Sequence, residues 1–287
     1  MSNRTKGIFC ILGAALSFSL MNTFVHLSGD VPTMQKAFFR NFVAVIFSLI
    51  ILRKNRIPLR PPKKRHWSLL LARAAFGTLG LLCNFYAVDH LNISDASMLN
   101  KMSPFFAILV SYFLLQESIN LFQGGIVAAA FLGSLLIIKP NPANMALLPS
   151  LVGLTGGFGA GVAYSIVRLM SRKGINSSLI VFVFSAFSCL VCLPFFILNP
   201  APMSMSQLGC LLVAGTFGCS GQLCITSAYS FAPARDISVY DYTQVIFSAL
   251  LGWVFFAQLP DAMSVLGYVV ICGAGIAMFF YQRKHPT

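Results

Sequence analysis

Apolar residues run along this chain in long unbroken stretches, separated by short polar or helix-breaking connectors. Ten stretches come close to the roughly 20 residues that an α-helix needs to cross a bilayer. They lie near 7–27, 34–52, 67–88, 95–115, 121–138, 148–169, 179–198, 206–230, 236–257 and 263–281. The connectors carry turn formers, as in Gly29-Asp30-Val31-Pro32, Lys139-Pro140-Asn141-Pro142 and Asn199-Pro200-Ala201-Pro202,. Within a stretch the apolar residues are continuous, not alternating, so a transmembrane β-barrel is excluded. The first stretch is long enough to span, and reads as a helix of the bundle in place of a cleaved leader. No connector is long enough for a soluble domain. The pattern predicts an all-α membrane protein with ten transmembrane helices.

Polar residues that interrupt these stretches carry the functional information, because hydrocarbon makes them costly. The fourth stretch contains Asn100, Lys101 and Pro104. Proline has no amide to offer the Asn100 carbonyl, which is left free for a ligand or a side chain. Lys101 has two readings: an ammonium facing a central cavity, or one that snorkels to the outer interface. The ninth stretch holds Tyr240, Asp241, Tyr242 and Gln244. Asp241 suits a proton-carrying or cation-binding role, since burial in a low dielectric favours the neutral acid; a structural ion pair is the plainer reading. Ser19, Asn22, Thr23 and His26 form an i, i+3, i+4, i+7 stripe on the first helix that is turned away from lipid,. Such a stripe lines a cavity or holds helices together.

Composition agrees with the pattern. Of 287 residues, 57% are hydrophobic and 9% charged, where a soluble domain carries about 25% charged residues. The net charge of +13 does not imply nucleic acid, because the cations collect in connectors, above all Arg53 to Arg65. With the N-terminus cytoplasmic, fifteen Lys and Arg fall on the cytoplasmic side, against Lys139, Lys36 and Arg40 on the other. That asymmetry predicts both termini inside, an even number of spans and residence in the plasma (inner) membrane, with anionic lipid headgroups as secondary partners. The eight cysteines lie in or beside apolar stretches and read as small hydrophobes,. Cys189-x-x-Cys192 finds no second cluster to complete a metal site, and no metal or cofactor is expected. Scattered histidines and the lack of HExxH, GxSxG and GxxxxGK[ST] motifs speak against an enzyme and an ATP-driven pump.

The chain also repeats. A shift of 141 residues places Phe76, Gly77, Gly80, Leu82, Cys83, Ala87, Asp95, Ser97, Phe106 and Leu109 on Phe217, Gly218, Gly221, Leu223, Cys224, Ala228, Asp236, Ser238, Phe247 and Leu250. Five spans per half send the second half through the membrane upside down, a construction typical of secondary transporters. The expected halves are 1–142 and 143–287. The segment Ala87 to Ala96, the Ser103-Pro104-Phe105-Phe106-Ala107 block, Leu115-Gln116-Glu117 and Gly124-Gly125 resemble the EamA-domain pattern of the drug/metabolite transporter superfamily. Phe38-Phe39-Arg40-Asn41 is similar to the arginine that family places early in its second helix. The second copy departs from the pattern at Thr243-Gln244-Val245-Ile246-Phe247 and at Gln258.

The resemblance implies two inverted five-helix halves and transport of a small organic solute. The residues expected to bind it are Asn22, Arg40, Asn84, Tyr86, Asn100, Lys101, Tyr164, Gln222, Tyr240, Asp241 and Gln244, along a pathway lined by the first, third, fourth, sixth, eighth and ninth helices. Charges of both signs with aromatics favour a zwitterion of the amino-acid kind, moved by alternating access with protons as the coupling ion. Pseudosymmetry is expected to set Lys101 and Asp241 towards opposite leaflets. A passive channel and a flippase for a lipid-linked metabolite are the rival readings. Glycines 153, 156, 157, 159 and 161 in the sixth helix, with Gly218 and Gly221 in the eighth, are expected to permit close packing.

Overall fold

The computed structural model describes residues 3–103, 105–107, 109–110, 121–138, 146–198, 200–231 and 238–284. Among these the secondary structure is helical, with no strand. The α-helices, in chain order, are α1 (Asn3–Leu27), α2 (Thr33–Lys54), α3 (His66–His90), α4 (Ile93–Asn100), α5 (Leu121–Ile138), α6 (Leu147–Arg172), α7 (Ser177–Leu198), α8 (Met205–Phe231), α9 (Thr243–Phe256) and α10 (Ala262–Lys284). A 3₁₀ helix, Ser238–Tyr242, runs directly into α9. The expected turns end helices where left-handed glycines sit, Gly29 after α1 (φ 63°) and Gly174 after α6 (φ 71°),.

Seven helices are long and apolar enough to cross a membrane, and Gly124–Ile138 within α5 is a shorter apolar one. The protein is therefore an integral, multi-pass helical membrane protein. The fourth and ninth expected spans are not single α-helices among the described residues. α4 stops at Asn100, and after a turn at Lys101 and Met102 helical backbone resumes at Ser103. Pro104, whose missing amide led to the expectation of a freed carbonyl there, lies outside the described residues, as do Glu117, residues 139–145 and Asp236. The ninth span begins as the tighter 3₁₀ turn carrying Asp241, and such a mid-span change of helix type marks strain or function.

The outside of the bundle is apolar, with Phe9, Leu190, Val254 and Val269 all more than half exposed. The inside combines three apolar clusters with polar side chains: Ser19, Asn22, Thr23, Arg40, Asn41 and Ser97 are fully buried. A bilayer solvates the apolar outside and leaves the polar groups to protein partners within. Helix packing has an internal regularity. α1 packs on α8 and α3 on α6; α2 packs on α7, α5 on α10 and α4 on α9. Replacing each helix by the one five places along turns α1–α8 into α6–α3 and maps the other pairs onto themselves. Glycines make the closest of these contacts. A Cβ at Gly157 would lie 2.6 Å from the Leu99 carbonyl, one at Gly161 would lie 2.6 Å from that of Ser103, and one at Gly159 2.9 Å from that of Phe76.

Candidate functional site

Between the helices lies a cavity lined by Asn22, Arg40, Arg73, Asn84, Asn100, Lys101, Tyr164, Gln222 and Gln244, with Phe18, Met21 and Phe184 as its apolar wall. The room open to the centres of water-sized molecules is about 80 Å³, where one water needs roughly 10–15 Å³. Several waters fit, or the polar end of a small solute. Eight of the eleven expected residues are on this wall. It draws on α2 and α7 as well as the six helices expected, because Arg40 and Phe184 reach in from those two.

Lys101 and Asp241 meet, contrary to the expectation that they face opposite leaflets. Lys101 Nζ lies 2.7 Å from Asp241 Oδ2, and each residue is only 5% exposed. Both sit where a span departs from α-geometry, and the broken segments pack against one another at the centre of the bundle, which brings the two charges to a common level. Lys101 therefore does not snorkel to an interface. Beside the pair runs a chain of hydroxyls. Ser19 Oγ donates to the Gln244 carbonyl (2.9 Å), Ser248 Oγ lies 3.0 Å from Ser19 Oγ, and Ser97 Oγ lies 2.8 Å from Ser248 Oγ. Each hydroxyl has one proton, so the direction is fixed: Ser97 donates to Ser248, Ser248 to Ser19, Ser19 to the backbone. This chain joins α1, α4 and α9.

Asn84 Nδ2 donates to Asn22 Oδ1 (3.1 Å), orienting both amides in the cavity wall. Arg40 Nη1 donates to Asn41 Oδ1 (2.7 Å) and Nη2 to the Gly218 carbonyl (3.3 Å), while its Nε has no partner. Arg73, which the residue-by-residue reading passed over, is 2% exposed and has neither Nε nor Nη1 bonded. A lone arginine seven residues into an apolar helix was the available signal. Both guanidiniums lie over the Phe184 ring, Arg73 at 4.0 Å and Arg40 at 5.7 Å from its centre.

Of the three expected residues not on the wall, Asp241 pairs with Lys101 and two are elsewhere. Tyr86 stacks on His90 (4.2 Å between centres) near the end of α3, and Tyr240 packs into the apolar cluster around α1. Their helices are apolar on nearly every side, so sequence spacing could not tell the cavity face from the packing face. His26, at the end of the polar stripe on α1, is half-buried: its Nδ1 sits 2.8 Å from the Val88 carbonyl and its ring meets Phe256 edge-on.

One end of the bundle is tied shut by bonds between the two halves of the chain. Gln35 exchanges two hydrogen bonds with the Ala201 backbone (2.9 and 3.2 Å), Gln207 Nε2 donates to the Ser28 carbonyl (3.1 Å), and the Ile93 amide donates to Gln258 Oε1 (3.2 Å). Lys36, placed at this end of α2, is buried and pairs with Asp89 at 2.6 Å.

The chain resembles known proteins over nearly its whole length. It is 33% identical over 276 residues to a pseudopaline exporter of Pseudomonas aeruginosa, covering 95% of each chain. It is 25% identical over 283 residues to a riboflavin transporter of Brucella anthropi, covering 93% of this chain and 95% of that one. A solved crystal structure superposes with a TM-score of 0.68 over 96% of this chain and 98% of the other at 16% identity, which is a likeness of fold. The model of the EamA-like transporter family matches residues 5–139 and again 147–281. This chain belongs to the EamA-like transporter family and is a membrane transporter.

Proposed function

We propose that the chain is a secondary-active transporter for a small polar or zwitterionic organic metabolite. In this reading the bundle has ten spans, made of inverted repeats 1–142 and 143–287, with both termini on the cytoplasmic side of the plasma (inner) membrane. The self-mapping of the helix pairs and the two ranges matched by the family model support that division. The names of the two relatives, an exporter and a transporter of organic compounds, support the class of solute.

The observation that carries the proposal is the Lys101–Asp241 pair, buried at two broken spans with Lys101 on the cavity wall. A proton taken up by Asp241 removes the carboxylate that holds Lys101. The ammonium is then free for an acidic group of the solute, so the pair links proton and solute occupancy. The sealed end, tied by hydrogen bonds between the halves and by the contact of His26 with Phe256, is the part that opens in the alternate state. Because those bonds exchange for bonds to water when the end opens, the net cost is small.

Proteoliposomes containing the purified protein test this. Under an imposed proton gradient they should accumulate a labelled amino acid above equilibrium, and Asp241→Asn should abolish the accumulation. A full gradient response in Asp241→Asn removes the coupling role. Equilibration without accumulation by the unmodified protein replaces the pump with a channel.

A further inference from the structure

Two guanidiniums in one apolar bundle lack the counter-charge that such groups require. Arg40 and Arg73 are each 2% exposed, both line the cavity, and neither forms an ion pair among the described residues. Three of their nitrogens, Arg40 Nε and Arg73 Nε and Nη1, are buried without any hydrogen-bond acceptor. An arginine cannot shed its proton to escape this. Contact with Phe184 offsets part of the charge,, but an aromatic face accepts no bidentate hydrogen bonds. Lys101 does not share the problem, because Asp241 already neutralises it. Among the described residues the cavity therefore carries a surplus of two positive charges beside a balanced pair.

The arginines are seated by matching glycines. A Cβ at Gly77 would lie 2.5 Å from Arg73 Nη1, and a Cβ at Gly218 would lie 2.6 Å from Arg40 Nε. Gly77 and Gly218 correspond under the shift of 141 residues. Gly218 on α8 thus leaves bare backbone for the guanidinium of Arg40 from α2, and Gly77 leaves it for Arg73 one turn earlier on the same helix, α3. The sequence reading expected Gly218 to serve close helix contact and gave Gly77 no role beyond the repeat; the atoms they make room for are the charged ends of Arg40 and Arg73.

We infer that the transported solute is a net anion with at least two acidic groups, carboxylate or phosphoryl, held by Arg40 and Arg73 beside the Phe184 ring. Planar guanidinium forks match both kinds of oxyanion. The inference rests on the transport reading and narrows it: a monoacidic zwitterion would leave one guanidinium uncompensated. The Lys101–Asp241 pair then serves an amine on the solute or the coupling step, and the arginines serve its acids.

Thermal unfolding of the purified protein with succinate, inorganic phosphate or the uncharged diamide succinamide tests this. Saturating succinate or phosphate should raise Tm by about 2–4 °C, and succinamide should not. A shift with succinate alone assigns carboxylates, and one with phosphate alone assigns a phosphoryl group. Arg73→Gln should weaken binding of the effective anion about 10- to 100-fold. Gly77→Ala should weaken it too, because the added methyl would lie 2.5 Å from Arg73 Nη1 and 3.0 Å from Phe184 Cε2, displacing the guanidinium from the ring, and this variant decides the question if Arg73→Gln does not fold. Stabilisation by succinamide equal to that by succinate, no shift with either anion, or unchanged anion affinity in Gly77→Ala would overturn the inference. Anion binding without uphill transport rejects the transport reading alone. Uphill transport of leucine that is indifferent to Gly77→Ala rejects the dianion alone.

Discussion

Asp241→Asn is the substitution on which most of this reasoning converges. The change keeps the side-chain size and removes one charge, leaving the Lys101 ammonium 5% exposed with no carboxylate. Breaking a buried pair by deleting one partner costs about 3–5 kcal/mol, because the survivor stays desolvated. Asparagine still offers Lys101 one acceptor oxygen, which places the expected loss near the lower end, about 3 kcal/mol. Lys101→Met should cost a similar amount, whereas Lys101→Met with Asp241→Asn should cost less than the two losses together, since no lone charge is left. Unfolding in mixed micelles, followed by the fluorescence of Trp67 and Trp253, gives the four corners of the cycle. A coupling of about 2 kcal/mol or more is expected. Single losses that add to the double loss within about 0.5 kcal/mol would show that the two side chains do not hold each other, and the account of the broken spans would fail with them.

Three further outcomes follow from particular contacts. Gly157→Ala pushes a methyl to 2.6 Å from the Leu99 carbonyl and should destabilise by about 1–3 kcal/mol, as overpacking does; Gly125→Ala, which meets nothing within 4 Å, should change stability by less than about 0.5 kcal/mol in the same unfolding assay. Ser248→Ala interrupts the Ser97–Ser248–Ser19 hydroxyl chain and should cost about 1–2 kcal/mol, with Ser248→Thr recovering part of it if the hydroxyl keeps its place. Lys36→Met removes the partner of the half-buried Asp89 and should cost about 1–3 kcal/mol, between the surface and buried limits. The same variant loosens the sealed end, so labelling of a cysteine introduced at Asn84 by a water-soluble reagent should speed up.

Much of the molecule was legible along the chain, and what was missed has a common cause. Most of the apolar stretches located a long helix to within a few residues, because span length is imposed by the bilayer and connectors by Gly and Pro; the fourth and ninth stretches are broken among the described residues. The polar residues within spans marked the cavity, since hydrocarbon tolerates them only where protein or water surrounds them. Nothing in the sequence said that Lys101 and Asp241 would touch, that Arg73 would join Arg40 over Phe184, or that Tyr86 and Tyr240 would turn to packing surfaces. In a soluble helix an apolar stripe reveals the inward face. Here the lipid-facing side is as apolar as the packed side, so periodicity carries little information about direction. Only the docking of one half against the other fixes which polar groups share a space, and that docking depends on close backbone contacts at Gly80, Gly157, Gly159 and Gly161, whose partners are distant in the chain. The sequence by itself thus determined which residues could not face lipid; the tertiary structure decided what each of them faces instead.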